Sequence, residues 1–353
     1  MKKLFGSLPD GREVYEYTLA NKNGMTVKVI NYGAIIAECW VPDKNGKAEN
    51  VVLGFDNLEQ YLVKHPRFGS TIGRYANRIG GAQFELDGTL YKLAANNGSN
   101  CIHGGLKGFD KQLWDITEMK SDEAHSLVRM YYVSKDMEEG FPGNLSVQID
   151  FSVHADNTLQ LTYKATSDKA TPLNLTNHSY FNLQAAGNGN ILAHSAQFNS
   201  DSYTPLDSNS IPTGEFASVG NTAYDFRNET EIGALIDKTA GGYDINYIVG
   251  NNSLIYDDTR VELESNLKNI ANIHCKSSGR KLAVYSDQPG FQFFTANSLD
   301  GSIIGNGGSY QKHAGFCIET QHFADSVHHQ NFPNTILRPK QIFLSSTRYK
   351  FHT

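Results

Sequence analysis

The sequence predicts an all-β protein, an antiparallel β-sandwich with few short helices. Three observations carry that reading. Short runs rich in β-branched and aromatic residues recur between clusters of Gly, Asn and Asp: residues 25–30 (MTVKVI), 35–41 (IIAECWV), 127–133 (LVRMYYV), 145–153 (LSVQIDFSV), 159–165 (LQLTYKA) and 281–285 (KLAVY). Between AQFEL and TLYKL stand Asp87 and Gly88, residue types suited to a two-residue turn that needs positive φ at both positions. Helical pattern is confined to residues 56–62, with Asp56 as N-cap and Glu59 closing a capping box, and to residues 229–236, which Gly233 interrupts.

At 353 residues the chain exceeds an average domain, yet no repeat, low-complexity tract or linker divides it, so residues 1–353 are expected to form a single domain. Hydrophobic residues at 39% and aromatics at 11% suffice for a large core, which argues against disorder. The net charge of −6 is spread along the chain, and no basic run could follow a phosphate backbone, so nucleic acid is not an expected partner. No apolar run approaches the ~20 residues that span a bilayer. In MKKLFGSLPDG, Pro9, Asp10 and Gly11 arrive before an apolar signal segment forms, which points to a cytoplasmic protein. The four cysteines, Cys39, Cys101, Cys275 and Cys317, lack C-x-x-C spacing and are expected to be buried free thiols.

Four stretches combine polar side chains with tight backbone signals. Residues 171–183 (TPLNLTNHSYFNL) read as an alternating strand, with Leu173 and Leu175 on one face and Asn174, Thr176 and His178 on a polar, binding face. Imidazole is the one group there that titrates near neutral pH without help; the plain alternative is a surface histidine on a half-buried strand. Residues 73–84 (GRYANRIGGAQF) place Arg74 and Arg78 beside Asn77, fixed donors suited to adjacent hydroxyls or a carboxylate, though spacing alone favours surface arginines bonded to loop carbonyls. Residues 96–105 (NNGSNCIHGG) set His103 before two glycines, which let a ligand approach the backbone. Residues 315–321 (GFCIETQ) alternate again, with Cys317, Glu319 and Gln321 on one face; partial desolvation would raise Glu319 toward the range useful for proton transfer. GGYDINY adds Asp244, and SDQPGFQFFTAN adds Gln288. Together these suit a polyhydroxylated ligand. Phosphate-cradling loops, dinucleotide fingerprints and nucleophile elbows are absent from the sequence, so no cofactor is required. His313, His322, His328 and His329 crowd one region, but His328 and His329 on extended chain would point apart, so no metal is expected.

GRYANRI, NNGSNCIHGG, LNLTNHSYFNL, GGYDINY and AGFCIETQHFADSVHHQNFPNTILRP, in this order and spacing, closely resemble the aldose 1-epimerases, the galactose mutarotase family. The opening LPDGREVYEYTLANKNGMTVKVINYGAII is similar too, so the resemblance covers nearly the whole chain. It implies a single-domain β-supersandwich that interconverts α and β anomers of free hexoses without a cofactor. Matched motif by motif, Glu319 falls on the general base, His178 on the acid that protonates the ring oxygen, and His103 on a second histidine near that oxygen. Asn77, Arg78, Asp244 and Gln288 fall on substrate-binding positions, whereas Arg74 matches none. Ala324 and Tyr75 depart from a common proline and a common small aliphatic residue. The implied partner is an aldohexose, with the chain a monomer or homodimer. Three rivals stand beside this reading: a noncatalytic sugar-binding protein on the same fold, a glycoside hydrolase using Asp244 and Glu319 as a carboxylate pair, and a hexose 6-phosphate epimerase. The last would need extra cations, for which Arg78 and Arg74 are the candidates.

Overall fold

Apolar and polar alternation becomes alternating burial in the long strands. Leu145, Val147, Ile149, Phe151 and Val153 of strand Leu145–His154 are buried, as are Leu159, Leu161, Tyr163 and Ala165 of its neighbour Thr158–Ser167. Such strands bury one face each and must stack to do so. The computed structural model describes residues 1–122, 125–250, 254–257 and 267–353. Among them, strands Lys2–Ser7, Glu13–Ala20, Thr26–Ile30, Ile35–Pro42 and Ala48–Asn50 form an antiparallel sheet in chain order. A ten-stranded sheet follows, with Asp115–Ser121, His125–Ser134, Leu145–His154 and Thr158–Ser167 in sequence, then Ile342–His352, Lys281–Ser286 and Lys268–His274. One hydrophobic cluster, from Tyr17 to Phe351, draws on both sheets. No helix among the described residues is long and apolar enough to cross a membrane.

A smaller, five-stranded sheet bears Asp244 and Glu319. Its strands Asp244–Ile248, Gly290–Phe294 and Cys317–Gln321 pair antiparallel, so that Asn246 lies opposite Gln292 and Gln292 opposite Glu319. Ile245, Tyr247, Phe291, Phe293 and Ile318 turn into the main core. By the period-two rule the other face bears Asp244, Asn246, Gln292, Glu319 and Gln321.

Two of three local expectations change. The Asp87-Gly88 turn forms, with φ of 51° and 76°, but the helix is Leu58–Leu62 and its N-cap is Asn57, one residue beyond Asp56. The Asn57 side chain accepts from Gln60 N–H at 3.1 Å and donates to Gln60 Oε1 at 2.7 Å, so the box slides by one position. Residues 229–236 hold a short strand, Thr230–Glu231, and a 3₁₀ turn, Ile232–Ala234. A Cβ at Gly233 would lie 3.0 Å from Leu192 O, so close packing decides this segment.

Residues 171–183 are not one strand with a polar outer face. All are buried, and only Thr171–Pro172 and Thr176–Asn177 pair regularly, with Ile336–Leu337 and Thr71–Ile72. Between them the Asn174 side chain acts as a splice: Nδ2 donates to Ala76 O at 3.2 Å and His322 O at 3.1 Å, and Oδ1 accepts from His322 N–H at 2.9 Å. Arg74 is equally structural. Its guanidinium donates to the carbonyls of Ser134, Lys135, Pro142 and Gly143 and to the hydroxyls of Ser134 and Thr171, at 2.6 to 3.2 Å. Tyr75 fills an apolar cluster with Ile79, Phe84 and Phe141, which absorbs that departure from the family pattern.

Arg74→Met would strand those buried acceptors. Urea unfolding should show a loss of ~3 kcal/mol or more; a loss under ~1 kcal/mol would contradict the bracing role.

Candidate active site

His178 follows strand Thr176–Asn177 and is fixed through its backbone, with N–H donating to Ser70 O at 2.9 Å and C=O accepting from Gly69 N–H at 3.0 Å. Its ring stacks on Tyr180 (centroids 5.0 Å, 10° between planes) and meets the edge of Phe294, while Nδ1 lies 3.5 Å from Cys317 Sγ. That leaves Nε2 facing Glu319 Oε1 at 3.6 Å. His103 sits at φ 54°, and its Nδ1 accepts the Asn77 N–H at 3.2 Å. A nitrogen that accepts carries no proton, so a neutral His103 holds its proton on Nε2. The two imidazoles meet edge to face at 5.3 Å, and one nitrogen of each lies with a Glu319 oxygen in a group spanning no more than 4.8 Å.

Burial moves all three groups toward their neutral forms. Glu319 is 2% exposed, and its carboxyl stands well above the ordinary value because of burial first and the Asp244 charge second; Arg67 and Arg78 oppose the shift. His178 is pushed down to about 3, by burial and then by Arg67, and His103 goes well below its usual value for the same first two causes. At 3.6 Å the pair forms an ion pair only if the proton sits on His178; with both groups desolvated, the empty site favours it on Glu319. Glu319 Oε2 is buried without a hydrogen-bond partner, an acceptor left for a ligand donor.

The remaining sequence candidates divide. Asn77 abuts His103, and its Oδ1 accepts from Arg78 N–H at 2.9 Å, while Arg78 Nε donates to Asn97 at 3.0 Å. Asp244 joins through Gln292, whose Nε2 donates to Asp244 Oδ1 at 2.6 Å; burial raises the Asp244 carboxyl and Arg78 lowers it. Gln288 is not brought to the cluster. Its Oε1 meets His322 Nδ1 at 3.0 Å and its Nε2 donates to Ser345 at 3.0 Å, so both ends serve the interior. Gln292 faces Glu319 instead. Alternation could have found it: Pro289 and Gly290 break the chain after Gln288, whereas Gln292 lies between two core phenylalanines, Phe291 and Phe293. Arg67 was also missed, and its spacing carries no signal. His328 and His329 do not point apart; the 3₁₀ turn Ser326–His328 replaces extended chain and brings both to the Asp325 carboxylate, at 2.6 and 3.5 Å.

Two imidazoles and a carboxylate are also a zinc-type donor set. The charges of Arg67 and Arg78 both act on Glu319 and oppose a dication there.

The aldose 1-epimerase family model matches residues 15–350. The chain belongs to the aldose 1-epimerase family. Galactose mutarotase of Bos taurus is 41% identical over 352 residues, covering 99% of this chain and 98% of that one. The Homo sapiens galactose mutarotase is 40% identical over the same shares, and the Escherichia coli aldose 1-epimerase 32% identical over 97% and 96%. Among solved structures, galactose 1-epimerase from Lactobacillus acidophilus superposes with a TM-score of 0.85 at 27% identity, covering 100% of this chain and 98% of that one. The supersandwich expectation for the fold is thereby met.

The depressed His178 value has a consequence for stability. Between about 3 and the ordinary 6.5, the unfolded chain binds a proton there that the folded protein does not, so stability falls as pH falls through this window. His178→Asn removes that term. Between pH 7.5 and 5.0 the variant should lose about 2 kcal/mol less stability than the parent in urea unfolding; equal losses would contradict a buried neutral imidazole.

Proposed function

We infer that the protein is an aldose 1-epimerase that interconverts the α and β anomers of free aldohexoses by acid–base ring opening, with Glu319 as base and His178 as acid. One observation carries the reading: a buried carboxyl and a buried imidazole face each other at 3.6 Å with a second imidazole at their side. Mutarotation needs one proton removed from the C1 hydroxyl and one delivered to ring oxygen O5, then rotation about C1–C2 and reclosure. The neutral pair and the ion pair hold the same number of protons, so no exchange with solvent is required.

Sugar binding supplies the bias between the two forms. A hydroxyl donating to Glu319 Oε2 stabilises the carboxylate, and the proton passes to His178. Charged Glu319 then takes the C1 proton while His178 gives its own to O5, and the roles reverse on closing; each proton transfer contributes roughly 10²- to 10⁴-fold. His103, with its proton on Nε2, donates a hydrogen bond beside O5. Asn77, Arg78, Asp244 and Gln292 hold the hydroxyls, with Gln292 in the role first given to Gln288. A hexose 6-phosphate epimerase is disfavoured because both terminal nitrogens of Arg74 are taken up by the fold and Asp110 offsets part of the Arg67 charge.

Fresh α-D-galactose or α-D-glucose should reach rotational equilibrium in the polarimeter much faster with protein than in buffer. Glu319→Gln should lower kcat by about 10² or more with native circular dichroism. No acceleration on either sugar, or near-normal turnover by the variant, would contradict the reading.

A further inference from the structure

The turn that braces His178 carries a guanidinium with no part in the reaction as described. Residues 66–70 are bonded to the His178 segment along their length: Tyr180 Oη donates to Pro66 O at 3.1 Å, Gly69 N–H to His178 O at 3.0 Å, and His178 N–H to Ser70 O at 2.9 Å. Within the turn, Ser70 N–H donates to Arg67 O at 3.1 Å and Arg67 N–H to His65 Nδ1 at 3.0 Å. Arg67 sits at φ 61°, in the left-handed region that a non-glycine residue keeps only where its surroundings hold it. Its backbone is thus pinned beside His178.

The side chain is poorly occupied. Nε is buried without a hydrogen bond and lies 3.5 Å from Asp110 Oδ2, the one ion pair of Arg67 among the described residues, and a quarter of the side chain is exposed (25%). Arg78, by contrast, is held by Asn97 and Asn77. Both cations act on Glu319 and His103, and they differ at the other two groups. After burial, Arg67 is the largest influence on His178, whereas Arg78 is the cation that acts on Asp244.

O5 lies between C1, which the proposed function gives to Glu319, and C5, which bears C6. We propose that Arg67, anchored beside His178, lies on the C5 side and reads the C6 substituent, and that the site takes hexuronates, whose C6 is a carboxylate, alongside neutral hexoses. A guanidinium fork matches a planar carboxylate with two parallel hydrogen bonds. Asp110 already offsets part of the Arg67 charge, which suits one further negative charge and not the two of a phosphate monoester. Asp110 is also buried, so it cannot swing out into water.

The test is anomeric exchange followed by NMR on four sugars: D-galacturonate, D-galactose, D-galactose 6-phosphate, and L-arabinose, which is galactose without C6. The parent protein should exchange galacturonate with a kcat/KM at least equal to that for arabinose and above that for the 6-phosphate. In Arg67→Met the galacturonate-to-arabinose ratio should fall roughly 10- to 100-fold, and Arg67→Lys should restore part of it. Failure of the parent on galacturonate while it exchanges galactose overturns the proposal and leaves the mutarotation reading intact. A uniform loss across sugars in Arg67→Met, the mark of a structural role, overturns it too. Preference for the 6-phosphate overturns the carboxylate assignment, and failure on all four sugars overturns the mutarotation reading and the proposal with it.

Discussion

Everything at the site depends on one buried contact, the 3.6 Å approach of His178 Nε2 to Glu319 Oε1. Two groups of opposite character placed in water would ionise and drift apart. Here desolvation penalises both charged forms, so the pair keeps one proton between them, and a small change in hydrogen bonding decides who holds it. Such a poised pair suits a reaction whose two directions must run equally well.

The fold provides that contact by bringing together segments distant in sequence. Glu319 lies mid-strand in Cys317–Gln321, the edge strand of a five-stranded sheet whose other face is core. His178 hangs on irregular backbone clamped to the 66–70 turn and stacked on Tyr180. Asn174 joins the His178 segment to Ala76 and His322, and Arg74 ties the neighbouring turn to Thr171. Buried amide and guanidinium groups therefore do for this irregular region what ladders do for the sheets.

Much of this could be read from the chain, and the misses share a cause. Strand runs, the Asp87-Gly88 turn and the Glu319 strand obey short periods, so residue spacing reports them. The sequence pointed to His178 through a surface that does not exist: the segment is buried on every side, and its polar residues mark internal bonds and not an outer face. Gln288 and Gln292 lie four residues apart in one segment, and only strand register separates the one that faces Glu319 from the one that serves His322. Arg67 is a left-handed residue in the turn bonded to the His178 segment, a backbone property that no composition or spacing encodes.

The location of the shared proton tests the account most directly. Nitrogen-15 NMR of His178 in the free protein should report a neutral ring from pH 5 to 8, and saturating galactose should shift it toward the imidazolium. A ring already charged at pH 6 in the empty site, or one unchanged by sugar, would contradict it.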